Sequence, residues 1–205
     1  MFHATNERPG FRFALMTTVL ALSFAGGTVT VAAPQEAEQE VFSAIARHLG
    51  TGPSGQTRIQ FTITRWSTEE QRQQLLTTLA NEGPDALIDA LQDEEEVGFV
   101  RAIGPGARRG TSDRLKYSRQ VPEGDSGRHI ILAADQQLLI FELRGSPRTR
   151  DQMFTLLDIH LDENNEGEGT MWLTARLGYD SDANTLTIQS LSSEPIRLTN
   201  IRRID

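Results

Sequence analysis

Apolar and polar residues alternate along much of this chain. The segment RIQFTITRW places Ile59, Phe61 and Ile63 on one side of an extended backbone and polar residues on the other, as in a half-buried strand. Short apolar or alternating segments follow at roughly even spacing, with turns rich in Gly, Asp, Asn and Pro between them. We therefore predict further strands at residues 97–103, 115–121, 128–134, 138–143, 154–161, 171–179, 186–191 and 196–201.

Two helical segments interrupt the strand pattern. The sequence STEE at 67–70 matches a capping box, in which the Ser67 hydroxyl accepts a backbone hydrogen bond and Glu70 reaches back to the cap. Leucines at helical spacing follow as far as Gly83, and a second helix begins at Pro84. The pattern predicts an α+β fold that is mostly antiparallel β, as a sandwich or barrel-like sheet, with a helical hairpin after the first strand.

The N-terminal segment predicts export. Arg8 and Arg12 precede the apolar run FALMTTVLALSFAGG, and small residues follow, which is typical of a secretory signal peptide. We predict that residues 1–33 form this peptide, cleaved between Gly27 and Ala33, and that the mature protein is periplasmic or extracellular. The run is shorter than the roughly 20 residues that cross a bilayer as a helix, so we predict no stable membrane span in the mature chain. An uncleaved signal anchor is the alternative.

The remainder divides into a linker and one domain. Residues 34–56 begin as a polar linker and contain one short amphipathic stretch at 41–49, which we interpret as a short helix before the Gly/Pro/Ser turn at 50–55. Residues 57–205 are predicted to form a single, mostly β globular domain.

Composition narrows the function classes. Of the 205 residues, 38% are hydrophobic and 23% charged, which suits a folded domain with a real core. The formal net charge of −8 argues against nucleic-acid binding, because phosphate contacts need clustered Lys and Arg. The chain has no cysteine, which excludes disulfides, cysteine nucleophiles and thiolate metal sites.

Two acidic segments resemble calcium loops in part. DENNEGEG at 162–169 fits the first half of the EF-hand pattern, but Leu173 stands where the bidentate Glu belongs, and the flanks predict strands instead of helices. The segment DSDAN supplies three more candidate metal ligands, Asp180, Asp182 and Asn184. Because the two loops are expected at opposite ends of one strand, they could not share an ion. We interpret both as solvated hairpin turns and predict no metal and no cofactor.

No catalytic constellation emerges from the motifs. GDSG at 124–127 resembles the sequence around the nucleophile of chymotrypsin-like serine proteases, but the only His upstream of it in the mature chain is His48, in the predicted linker. We interpret GDSG as a turn between strands. His129 and His160 lie in predicted strands and could approach one another across the sheet. Two imidazoles with no placed carboxylate do not make a zinc site, so we interpret each as a packed or surface residue and not as a ligand.

Aromatic residues next to cations are the remaining binding candidates. Trp66 follows Arg65 at the corner between the first strand and the first helix, and Trp172 lies on the opposite face of its strand from Met171 and Leu173. Trp with Arg on a sheet face can bind a ligand by stacking. The alternative interpretation is that both tryptophans are core or corner residues.

Several longer segments carry a family resemblance: TITRWSTEEQRQQLL, VGFVRAIGPG, LKYSRQVPEGDSGRHIILAAD, FTLLDIHLDENNEGEG and PIRLTNIR. Together they resemble a family of uncharacterised exported bacterial proteins, over most of residues 57–203. The resemblance implies export and brings no assigned activity, cofactor or catalytic residue.

Two functional hypotheses follow. The first is an exported, non-enzymatic binding or interaction module that uses a sheet face or the barrel interior, with another envelope protein or a small ligand as its partner. It requires a sizeable apolar cavity or an exposed aromatic patch. The second is an envelope-associated hydrolase, which requires at least two side chains from one set to converge in one cleft with displaced pKa values. That set is Asp135, Glu142, Asp158, His129 and His160.

Overall fold

Ten strands and two helices make up the described part of the chain. The structure, a computed structural model, describes residues 39–47, 56–104, 112–136, 138, 154–180, 185–190 and 195–205, all within one compact unit that spans Gln35–Asp205. The predicted signal peptide and most of the predicted strand at 138–143 lie outside the described residues. The elements are β1 (Glu40–Arg47), β2 (Gln56–Ile63), α1 (Glu69–Glu82), α2 (Pro84–Asp93), β3 (Gly98–Ile103), β4 (Asp113–Leu115), β5 (Tyr117–Glu123), β6 (Gly127–Ala134), β7 (Phe154–Leu161), β8 (Glu166–Asp180), β9 (Thr185–Ser190) and β10 (Ile196–Arg203).

The strands form one antiparallel, barrel-like sheet that is nearly closed. Its order is β4-β3-β2-β1-β10-β8-β7-β6-β5, with β9 paired to β8. The two edge strands are consecutive in sequence, because only Lys116 separates β4 from β5. The segment after β2 also contacts β5: the Ser67 amide donates to the Ser118 carbonyl at 2.9 Å, and the Ser118 hydroxyl donates to the Arg65 carbonyl at 2.8 Å. The predicted α+β class with a barrel-like sheet is therefore confirmed.

Apolar side chains fill the interior of the sheet. The main core includes Phe42, Phe61, Ile130, Leu157 and Met171, all fully buried, and the Phe42 and Phe61 rings stack with centroids 5.0 Å apart. Both helices pack on the outside of the sheet, where α2 contributes Ile88 to a second cluster against β6, β7 and β8. The helices therefore cover part of the outer face and leave the rest of it open.

The interpretation of residues 41–49 as a linker helix is wrong. Residues 40–47 form β1, which pairs with β2 on one side and β10 on the other and is therefore a central strand of the sheet. Its burial alternates with period two, with Phe42, Ala44 and Ala46 facing the core. A segment this short fits helical and strand spacing almost equally, and pairing with two neighbours decided between them. The domain therefore begins before residue 57, and the helical hairpin follows the second strand of the structure.

The cap of α1 lies one residue later than predicted. Thr68, not Ser67, is the N-cap: its hydroxyl accepts from the Gln71 amide at 3.2 Å, and the Gln71 side chain accepts from the Thr68 amide at 2.9 Å. The Ser67 hydroxyl instead accepts from the Ser118 amide at 3.1 Å. Both registers satisfy the capping pattern locally, and the contact with β5 selects the later one.

Candidate functional site

Two histidines face each other on the outer surface of the sheet. β6 and β7 pair so that His129 lies directly opposite His160. Their neighbours Ile130 and Ile159 point into the core, which places both imidazoles on the outer face. The two rings are stacked, with centroids 4.4 Å apart and planes inclined by 5°.

A carboxylate joins the two rings. Asp158 lies two residues before His160 on β7, and side chains at this spacing share one face of a strand. Its Oδ1 contacts His129 Nε2 at hydrogen-bond distance and lies 3.3 Å from His160 Nε2. About 27% of the His129 side chain, 29% of Asp158 and 52% of His160 are exposed, so the group is open to solvent.

A second carboxylate orients His160 from the other side. Both carboxylate oxygens of Glu123, the last residue of β5, lie 2.8–2.9 Å from His160 Nδ1. This contact favours the tautomer that carries its proton on Nδ1, because a carboxylate accepts and cannot donate. By the same argument Asp158 favours a proton on the Nε2 that faces it, and a bound metal ion would take the place of that proton.

The donor atoms of His129, Asp158 and His160 all lie within 4.8 Å of one another. Two imidazole nitrogens and one carboxylate oxygen are a donor set that divalent transition metals accept, and Glu123 holds the position of an outer-shell carboxylate. We refer to these three residues as the His–Asp cluster. They could hold an ion while leaving at least one coordination position to solvent.

The two histidines approach one another across the sheet, as the sequence analysis allowed, and the structure adds a carboxylate that the sequence did not place beside them. The spacing of Asp158 and His160 predicts a shared strand face, but their opposition to His129 depends on the register of β6 with β7. The connection between those strands runs from residue 135 to 153, too long for a tight turn to set the register. Pairing across the whole sheet was needed to place the carboxylate between the rings.

The aromatic candidates lie in separate places. Trp66 is partly buried against the main core, whereas Trp172 is half-buried in the second cluster, opposite Leu156. The Arg65 side chain points to the segment that follows α2 and not to either tryptophan. Its Nε donates to the Glu96 carbonyl at 3.2 Å, and its Nη2 lies 3.3 Å from the Glu95 carboxylate. The structure therefore forms no single binding surface from these three residues.

The acidic loop DENNEGEG joins β7 to β8, as the predicted hairpin requires. Asp162 Oδ1 accepts from the backbone amides of Asn164 at 2.8 Å and Glu166 at 2.9 Å, and these bonds, the Glu166 one foremost, lower the pKa of the Asp162 carboxyl. Its side chain therefore shapes the turn. In the other acidic loop, Asp180 ends β8, while Asp182 and Asn184 lie outside the described residues.

Comparisons with protein-family models, curated proteins and solved structures give no match to this chain. The resemblance to exported bacterial proteins therefore stays a prediction. Within the described residues, neither helix has the length and apolar character needed to cross a membrane.

Proposed function

We propose that this chain is an exported binding protein whose ligand is a divalent transition-metal ion. The observation that carries the proposal is that His129, His160 and Asp158 bring their donor atoms within 4.8 Å of one another on the outer sheet face. Export is supported by the N-terminal signal pattern alone. The proposal retains a non-enzymatic binding role and gives it a ligand.

The spacing of the donors suits coordination. Two ligand atoms at about 2.1 Å from a tetrahedral ion lie about 3.4 Å apart. His160 Nε2 and Asp158 Oδ1 are already 3.3 Å apart, while His129 Nε2 lies closer to the same oxygen and must withdraw. One of the two stacked rings must also tilt, because the lone pairs of parallel imidazoles do not meet at one ion. Imidazole and carboxylate donors together favour Zn²⁺, Cu²⁺ or Ni²⁺ over Mg²⁺ or Ca²⁺, which prefer oxygen donors alone.

The barrel interior offers less support for a ligand. Its core side chains are buried and packed, and among the described residues the one large hydrophobic side chain that is exposed is Ile204. The structure thus lacks the exposed aromatic patch that an apolar ligand requires in the described part of the chain. The outer face, with its three polar donors, is the better site.

Zinc is expected to stabilise the folded protein. An ion that binds only the native state adds about 2.7 kcal/mol to the free energy of unfolding at a free concentration of 100 times Kd. The melting temperature of the chelator-treated protein should therefore rise when Zn²⁺ is added in excess. Calorimetric titration should show about one Zn²⁺ ion bound per chain. Mg²⁺ at the same concentration, which shares the charge, serves as the control.

Either of two results would contradict the proposal. One is an unchanged melting temperature with Zn²⁺, Cu²⁺ and Ni²⁺ alike. The other is equal stabilisation by Mg²⁺, which would show that the acidic chain attracts cations through its net charge of −8 without a defined site.

The outer-shell carboxylate should tune the affinity. Replacing Glu123 by glutamine removes the charge that polarises His160, and outer-shell losses of this kind weaken metal binding about tenfold or more. Competition with a zinc-selective dye measures the change. Glu82→Gln, at the exposed end of α1, removes the same charge from a distant surface and should leave the affinity as it was. Equal affinities of the two variants would show that Glu123 has no part in the site.

A metal-dependent hydrolase is the second candidate. Three of the five candidate residues of the hydrolase hypothesis, namely His129, Asp158 and His160, lie together in the His–Asp cluster. Of the other two, Asp135 follows the end of β6 and Glu142 lies outside the described residues. Three protein ligands with an open position are the arrangement of catalytic zinc. Hydrolysis of p-nitrophenyl acetate by the zinc-loaded protein that is lost in an Asp158→Asn variant would favour the hydrolase role. If the zinc-loaded protein does not accelerate this hydrolysis, the binding role stands.

A further inference from the structure

A second feature lies on the outer face, in a cleft between the start of α1 and the strand β5. The cleft has a volume of about 250 Å³. Its aromatic lining residues are Trp66 and Tyr117, and its charged ones are Glu69, Arg72 and Arg119. None of these belongs to the His–Asp cluster, so the cleft is a separate site on the molecule.

Two arginines from different elements converge on one carboxylate in this cleft. Arg72 from α1 donates to Glu69 Oε1 at 2.7 Å, and Arg119 from β5 lies 3.9 Å from Glu69 Oε2. The first contact is a hydrogen bond, whereas the second is too long to be one. The lining therefore carries an excess of one positive charge, since two guanidinium groups face a single carboxylate.

Two hydrogen-bond donors in the cleft have no acceptor within the described residues. They are the guanidinium of Arg119 and the hydroxyl of Tyr117, two successive outward positions on β5. Burial raises the pKa of Tyr117 to about 12, with smaller and opposed effects from the charges of Arg72 and Glu69. The Tyr117 hydroxyl therefore keeps its proton at neutral pH and remains a donor.

We propose that this cleft binds a small organic anion through Arg119, Arg72 and the Tyr117 hydroxyl. The ligand carries a carboxylate or phosphate group, which accepts several charge-assisted hydrogen bonds at once. A ring or other flat apolar part of the ligand would lie against Trp66. The volume of about 250 Å³ is below the range of about 300–1,000 Å³ of drug-sized ligand pockets, so the ligand is a small molecule.

Glu69 acts as an internal competitor for the same donors. Its carboxylate occupies the position between the two arginines that the carboxylate or phosphate of a ligand would take. A ligand must displace it, and removal of its charge should then strengthen binding. A wholly structural role of the three charges predicts no such gain. The sign of this effect separates the two interpretations.

The experiment is calorimetric titration of phenyl phosphate and benzoate into the full chain in the presence of a chelator, so that no metal ion takes part. Inorganic phosphate tests the contribution of the ring, and benzyl alcohol tests the need for charge. We compare the wild-type protein with Arg119→Gln, Glu69→Gln and Arg114→Gln. Arg114 is the matched control, because it is an exposed arginine of the neighbouring strand β4, 3.7 Å from Glu96 and outside the cleft.

At least one of the two aromatic anions should bind, and benzyl alcohol should not. Loss of the Arg119 guanidinium should weaken binding about tenfold or more, whereas Arg114→Gln leaves it unchanged. Glu69→Gln should bind more tightly than the wild type. The proposal is overturned if neither anion binds at millimolar concentration, if Arg119→Gln and Arg114→Gln bind equally, or if Glu69→Gln weakens binding. Preference for phenyl phosphate or benzoate identifies the anionic group.

Discussion

Replacing Asp158 by asparagine is expected to weaken Zn²⁺ binding by more than about a hundredfold, because outer-shell changes alone cost about 10–100-fold and this change alters a ligand itself. Asp158 Oδ1 is the atom that both histidines contact, so the loss affects the centre of the site. The amide keeps the size of the side chain while removing its negative charge. Affinity is measured by competition with a zinc-selective dye, and metal-dependent stability by melting temperature with and without Zn²⁺.

Two comparisons make this result specific. Asp89→Asn, on the exposed surface of α2, removes the same charge without touching the sheet face and should bind Zn²⁺ like the wild type. Unfolding of Asp158→Asn in chelator shows whether the fold itself has weakened. A variant that unfolds normally in chelator and still binds Zn²⁺ with wild-type affinity would exclude Asp158 as a ligand.

Glu40→Ala is expected to lower the free energy of unfolding by about 3 kcal/mol, the lower end of the cost of breaking a buried ion pair, because Arg128 is 19% exposed and keeps Gln120 as a hydrogen-bond partner. Glu40 on β1 is 8% exposed, and its Oε2 lies 2.6 Å from Nη2 of Arg128 on β6. Strands β10, β8 and β7 separate β1 from β6 in the sheet, so this ion pair crosses the barrel interior. The Arg128 guanidinium also lies over the Phe42 ring, 5.5 Å from its centroid, and its Nε has no hydrogen-bond partner in the described residues.

The matched control is a second Glu–Arg pair between strands. Glu168 and Arg197 are 2.9 Å apart but mostly exposed, and loss of such a pair costs up to about 1 kcal/mol. Urea unfolding of Glu40→Ala and Glu168→Ala measures both. If the alanine variant does not fold, the free energy of unfolding is measured for Glu40→Gln, which keeps a hydrogen-bond acceptor. Equal costs at residues 40 and 168 would show that the Glu40–Arg128 ion pair stabilises the fold no more than a surface pair does.

The helical hairpin shows how much local pattern can determine. The predicted second helix starts at Pro84 and the first stops before Gly83, as they do in the structure. Proline restricts its own backbone to a helix-compatible angle, and Gly83 adopts a positive φ of 92°, which glycine tolerates. These preferences act between residues a few positions apart, so they do not depend on how the rest of the chain packs. The one-residue error in the cap at Thr68 arose where a contact from β5 intervened.

The local sequence pattern did not predict the strand at 40–47 or the His–Asp cluster. The sequence alone determined an antiparallel β domain with two helices and a turn at DENNEGEG, because alternation, capping and turn residues each depend on near neighbours. Only the tertiary structure decided that the segment of Phe42 lies between β2 and β10, and that Asp158 lies between His129 and His160. Those facts depend on the pairing of residues 19 to 161 positions apart in the sequence, as in Phe42 with Phe61 and Phe42 with Arg203, and packing of the whole barrel sets that register. A binding site made across strands is therefore decided by the fold.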